Sequence, residues 1–160
     1  MTTHLNTTSD SIRFDVCADP DILLALRREV LADVFCIDTS GPGIDRLIEA
    51  NRAYYNRHLA DGSHYALVVR NGDDISGCGA VCFYDEMPSP DNPSGLCGYL
   101  MNIYIRPVYR KRGLAHELVA HLVAECRRRD AGKIYLETTG AARHLYRTAG
   151  FRPMHDMMKL

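Results

Sequence analysis

One short stretch combines residue types and spacing suited to chemistry. Arg110-Lys111-Arg112-Gly113-Leu114-Ala115 sets three cations, a glycine and two small or apolar residues where a β-branched run gives way to a helical pattern. A helix N-terminus leaves backbone N–H groups unpaired and carries a partial positive charge, which together make an anion site. Gly113 admits an unusual φ and a close backbone approach, and Ala115 keeps the helix start slim. The three cations add long-range attraction and direct contacts. The same stretch also reads as an ordinary basic turn that caps a strand. A neighbouring pattern, His-Glu-Leu-Val-Ala-His over 116–121, imitates a zinc-hydrolase motif. Its histidines are one residue too far apart: five positions around a helix separate them by about 140°, so they cannot share a metal. No metal site is expected.

These residues need a scaffold, and the chain is long enough to build one. Its 160 residues fit a single domain with a proper core, and 46% hydrophobic with 24% charged residues suits a soluble globular protein. A net charge of −1 gives no electrostatic case for nucleic acid or an anionic membrane. No apolar run approaches the roughly 18 residues of a membrane span. The polar opening Met-Thr-Thr-His-Leu-Asn-Thr-Thr-Ser-Asp lacks a signal-peptide core. Residues 1–10 are expected to be a flexible lead-in, 11–160 the single domain, and the protein cytoplasmic. The six cysteines contain no CxxC pair. Cys78 and Cys82 lie four apart in a strand-like run, roughly 13 Å, too far for one disulfide or one metal. Reduced, mostly buried thiols are the expectation.

The periodicity predicts a first strand over 11–19. Asp19-Pro20 then starts a helix whose stripe of Leu23, Leu24, Leu26, Val30, Leu31 and Val34 runs to Phe35. A second helix is predicted over 44–59. Strands over 64–70 and 75–84 flank an Asn-Gly hairpin signal, and the Pro-rich stretch 85–95 must be a loop. Residues 97–106 form a continuous apolar run, as in a strand buried on both faces. After the basic turn, Leu114, Ala115, Leu118, Val119, Leu122, Val123 and Cys126 share one helical stripe. A strand over 133–138, a short helix over 141–150 and a last strand over 151–160 complete a mixed α/β chain with strand–helix–strand crossovers.

With the elements in place, the basic turn resembles the Arg/Gln-x-x-Gly-x-Gly/Ala signature of the GNAT superfamily of N-acetyltransferases. The strand before it resembles that family's fourth strand. Leu145-Tyr146-Arg147-Thr148-Ala149-Gly150-Phe151 resembles its later Leu-Tyr-x-x-x-Gly-Phe signature. Asn102-Ile103-Tyr104 is similar to a subgroup with an Asn-x-Tyr strand. The likeness is sharp over 97–160 and only architectural over 11–85. It implies an α/β (α+β) fold with a mixed sheet of about six to seven strands and about four helices, splayed at the cofactor site. It also implies an acetyl-CoA-dependent N-acetyltransferase in which an amine attacks directly in a ternary complex. A small-molecule or protein amine would be the acceptor, and a homodimer is compatible with the family.

Carried over by motif, the backbone amides of Lys111, Arg112, Gly113, Leu114, Ala115 and His116 would cradle the pyrophosphate of acetyl-CoA, with Arg110 beside them. Ile103, Tyr104 and Ile105 would pair with the pantetheine amides like an added strand, and a backbone N–H there would serve the oxyanion. Tyr146 would give the leaving thiolate its proton, with packing of the last helix as its plainer role. Many relatives carry an Asn at the position of Thr139, so that contact is weaker here or falls to Thr138 or Arg143. The general base is open. The strand over 97–106 holds no carboxylate. Asn102 would orient substrate or a water, and Glu86, Asp85, Glu137, His64 or a water chain are alternatives as base. Tyr54, Tyr55 and His58 line an acceptor pocket or, equally, a helix face. Two other readings remain open: a non-catalytic acyl-CoA-binding or sensor domain, and a nucleotide-binding or structural α/β protein.

Overall fold

The structure, a computed structural model, describes residues 11–155 and 157–160. The lead-in expected over 1–10 lies outside the described residues. In chain order the elements are β1 (Ile12–Val16), α1 (Pro20–Asp33), α2 (Pro42–Ala60), β2 (His64–Asn71), β3 (Asp74–Asp85) and β4 (Leu96–Ile105), followed by a 3-10 turn (Pro107–Tyr109), α3 (Leu114–Arg128), β5 (Lys133–Leu136) and α4 (Arg143–Thr148). The strands form one sheet in sequence order. β1 to β4 are antiparallel, and β5 joins β4 in parallel after the α3 crossover.

Local chemistry explains the element starts. Asp19 accepts from the N–H groups of Asp21 (2.9 Å) and Ile22 (3.3 Å), and Pro20 needs no partner at the first helical position. Period two divides the central strands between two cores. Ala66 and Val68 of β2 pack against Leu24, Leu26, Leu31 and Ile48 of α1 and α2. Leu67 and Val69 of the same strand pack against Leu118 and Leu122 of α3. A sheet covered on both faces therefore reads as a near-continuous apolar run.

The predicted elements hold in order, with four differences. The sheet has five strands, not six or seven. Over 151–160 the described residues form no strand: Pro153 lacks a ladder donor, and Met154, Met157, Met158 and Leu160 are exposed. α1 stops at Asp33 instead of Phe35: the N–H of Phe35 reaches back to Val30 O (3.4 Å), and Cys36 turns left-handed at φ 53°. β5 stops at Leu136, two residues early, for a reason that shapes the site. Cys78 faces Tyr104 and Ala80 faces Met101, so Gly79 opposes both Asn102 and Ile103 in a β-bulge. Asn102 adopts φ 58°, a conformation asparagine tolerates better than most residues. A Cβ at Gly79 would sit 2.8 Å from Ile103 Cδ1 and 3.0 Å from Leu118 Cδ2, so any side chain there would push these side-chain ends aside. The bend carries β4 away from β5, whose pairing ends at Leu100–Leu136.

All six cysteines are free, with Cys17, Cys78, Cys97 and Cys126 buried as expected. His121 packs on the Phe14 ring at 4.5 Å and His116 is exposed, so the two histidines of the zinc-like motif do not converge.

The last turn of α3 is tied back by Glu125. It accepts from Arg128 Nε and Nη2 and from Arg129 Nε, each at 2.7 Å, while Arg129 donates to Gly62 O and covers the Phe83 ring at 4.3 Å. Arg128, then Arg129, hold the Glu125 carboxyl down to about 2, from 4.5. A depressed carboxylate stabilises the fold above its unfolded value and loses that contribution as pH falls through the folded one. Glu125→Gln is therefore expected to lower the denaturation midpoint at pH 7. The gap to the parent should narrow as pH drops from about 4.5 toward 2. Urea melts across that range check it, and a constant gap would refute it.

Candidate active site

Where β4 bends away from β5, the sheet opens into a cleft of about 530 Å³. Its floor is Tyr99 to Ile103 of β4. One wall comes from α1 and α2, through Arg27, Val30, Asn51, Tyr54 and Tyr55, with Phe35 just beyond α1. The other comes from Glu137, Thr138, Thr139, Ala142 and Tyr146 after β5. Of the residues singled out from the sequence, Tyr54, Tyr55, Asn102, Ile103, Thr138, Thr139, Tyr146, His64 and Glu137 meet here.

The basic turn lies beyond the C-terminal end of β4, at the start of α3. Lys111 (φ 61°) and Gly113 (φ 80°) are both left-handed. Backbone that alternates in hand turns successive N–H groups toward one concavity, an anion nest. No side chain caps α3. The N–H groups of Lys111 to Ala115 have no protein acceptor among the described residues, whereas that of His116 is taken by Gly113 O at 3.0 Å. The amide set is thus Lys111 to Ala115, one residue shorter than the motif implies. A Cβ at Gly113 would meet nothing within 4 Å, so the backbone conformation, not crowding, demands glycine. The cations behave differently from one another. Arg110 donates through Nε to Ile105 O (2.8 Å), pairs with Asp33 and covers the Tyr104 ring at 5.8 Å. It straps the turn to α1 and β4. Arg112 lies over the Tyr109 ring at 5.6 Å. Lys111 is exposed.

Several sequence candidates fall outside the cleft. Tyr104 and Ile105 are buried in the two cores, leaving their backbone on the strand edge. His58 stacks on Tyr54 at 4.4 Å and bonds Ser63 Oγ at 2.6 Å without lining the cleft. Arg143 lines a second cleft, beyond β5. Glu86 meets Lys133 Nζ at 2.6 Å, a partner that holds its carboxyl below the usual range, and it too lies outside the cleft.

Burial sets the protonation of the cleft. Tyr146 is 8% exposed, and desolvation raises its pKa, so its hydroxyl keeps its proton at neutral pH. Burial pushes Tyr55 up to about 12 and raises Tyr54, whose hydroxyl lies 3.1 Å from His64 Nδ1. Burial, then the nearby His58, pulls His64 down to about 4, so its ring is neutral at pH 7. Glu137 is the sole carboxylate, and Arg27 the sole Arg or Lys, among the described lining residues.

Sequence reasoning missed Arg27, Asn51 and Phe35. Arg27 lies three and four residues from Leu23, Leu24, Val30 and Leu31, on their side of α1. A search for apolar periodicity passes over an arginine flanking that stripe.

Residues 31–151 match the family model described as the acetyltransferase (GNAT) family, and the chain belongs to that family. A crystal structure of a predicted acetyltransferase from Clostridium acetobutylicum, with acetyl-CoA, shares 26% identity over 94% of this chain and 96% of its own, at a TM-score of 0.83. A GCN5-related N-acetyltransferase from Ralstonia eutropha shares 23% identity over 94% and 98%, at 0.81, and the fold. Glucosamine-6-phosphate N-acetyltransferase from Arabidopsis thaliana shares the fold at 15% identity over 94% and 97%, at 0.67. No curated protein is significantly similar to the chain. No helix among the described residues is long and apolar enough to cross a membrane.

A His whose folded pKa lies below its unfolded value destabilises the fold as pH falls below that unfolded value, near 6.5. The His64 ring is accordingly expected to stay neutral down to about pH 5. Imidazole NMR titration reads this directly. A His64 midpoint above 6 would show that water reaches its ring.

Proposed function

We propose that the protein is an acetyl-CoA-dependent N-acetyltransferase acting on a small amine. One arrangement carries the reading: a freed strand edge leads from an unpaired amide nest to a cleft that holds a protonated tyrosine. The residues suit the donor at each point along that path. The five amides of Lys111 to Ala115 match an anion with several oxygens, and the α3 dipole reinforces them. The β4 edge past Leu100, without a β5 partner, suits a ligand that brings amide groups of its own.

Acetyl-CoA supplies the activated carbonyl. The chain's own residues then have separable tasks. Met101 to Ile103 orient the reacting carbonyl against the strand edge, where a backbone N–H can stabilise the oxyanion. The acceptor nitrogen forms the new C–N bond as the C–S bond breaks. Tyr146 passes its proton to the departing sulfur. Glu137 receives the proton that the amine gives up, and the phenolate of Tyr146 is reprotonated from solvent. A cleft of about 530 Å³ has the size of a small-molecule site.

Acetyl-CoA at 100 times its dissociation constant should raise stability by about 2.7 kcal/mol. Gly113→Glu should abolish that shift by setting a negative side chain beside the nest. Tyr146→Phe should lower kcat by about 100-fold or more while the acetyl-CoA dissociation constant changes by less than about 3-fold. Thermal shift and thiol release measure both. Absence of a shift with the parent protein would end the reading. A shift without thiol release across a broad amine panel would mark an acyl-CoA-binding module instead.

A further inference from the structure

Arg27 is the unexplained group in the cleft. It is half-buried on α1, and among the described residues its side chain hydrogen-bonds only to neutral amide oxygens: Nε to Asn51 Oδ1 at 3.3 Å and Nη1 to Asn102 Oδ1 at 2.9 Å. Other partly buried arginines of this fold have carboxylates: Arg106 has Glu29, Arg129 has Glu125, and Arg70 has Asp15. Arg28, next in sequence, has Asp45. Arg27 has no carboxylate partner among the described residues. Its guanidinium lies over the Phe35 ring at 5.4 Å, so one face is covered. Of five N–H donors two are engaged, and Nη2 has no protein partner among the described residues. Asn51 and Asn102 therefore hold a charged planar fork in place without neutralising it. Such a fork matches a carboxylate or similar oxyanion in bidentate fashion.

We infer, resting on the acetyltransferase reading, that Arg27 binds an oxyanion on the amine acceptor, so that the substrate is an amino acid or a close analogue carrying both amine and acid. The cleft's charges fit a zwitterion. Arg27 on the α1 wall takes the acid, and Glu137 on the wall after β5 faces the amine. Asn102 is then a positioning residue. Its left-handed place in the β4 bulge aims its amide at Arg27, which links the acid site to the strand that orients the carbonyl.

The test compares α-amino and ω-amino acids with their methyl esters and with the corresponding amines lacking the acid, by thiol release at saturating acetyl-CoA. The acids should exceed their esters in kcat/KM by about 10- to 100-fold. Arg27→Gln should erase that preference, chiefly through acceptor KM, with the KM for acetyl-CoA kept within about 3-fold. Asn102→Asp adds a separate check. It places an internal carboxylate against Arg27 and should also abolish the preference for acids, while Asn102→Gly, which keeps the left-handed backbone, should only weaken it. A merely structural Arg27 would lower turnover of acids and esters alike. If acetyl-CoA shifts the melting temperature and amines are acetylated with no preference for acids, or no acid reacts at all, the inference falls and the donor reading stands. If acetyl-CoA causes no shift, both fall.

Discussion

The parting of β4 from β5 after Leu100 is the constraint on which the site depends. Its cause is one extra residue. Asn102 and Ile103 together oppose Gly79, and the bulge bends β4 out of the ladder. Without the bend, β5 would continue alongside β4 and close the edge. With it, the backbone past Leu100 is open on one side while β3 still holds the other. Such an unpaired edge in the middle of a sheet is costly unless something pairs with it. Arg110 answers part of that need by donating to Ile105 O. The rest is available to a ligand that carries its own amides.

The same bulge shapes the α1 side of the cleft. A left-handed asparagine turns its side chain out of the strand's regular alternation, and Asn102 thereby reaches α1, where it holds Arg27. Cys78 Sγ, 3.6 Å from Asn102 O, and Gly79, which leaves room for Ile103, complete the local fit. One backbone irregularity thus opens the edge, shapes the cleft floor and anchors Arg27.

What could be read from the sequence follows from the range of the interactions involved. The Asp19 cap, the apolar stripe of α3 and the Asn71-Gly72 hairpin are local, and each lies within a few residues of where its pattern places it. The glycine turn before α3 was legible too, because Gly113 and an uncapped helix start are written in a handful of positions, whereas the left-handed Lys111 beside them was not. The end of β5 was not, since it depends on a bulge in a different strand. Nor was the fate of the three cations. Arg110 finds Asp33 across 77 residues of chain, and Glu86 finds Lys133 across 47, so neither pairing leaves a sequence spacing to read. The strand expected over 151–160 failed for a related reason. An apolar run makes a strand only where a neighbour needs its donors and buries its side chains, and Pro153 and four exposed residues meet neither condition.

This division of labour explains why donor and acceptor were unequally legible. The donor path is built from β4, the turn and α3, consecutive in the chain, and their signature is compact. The facing wall is built from α1, α2 and the segment beyond Phe35, which carry no comparably compact signature. Its decisive group is defined by an absence that appears only in three dimensions. Many arginines in this chain have a carboxylate within reach, and what sets Arg27 apart is the lack of one in a cleft where burial keeps Tyr54, Tyr55, Tyr146 and His64 uncharged. A single fixed cation among neutral hydroxyls and imidazole acts through a local dielectric well below that of water, so its preference for an anion is strong.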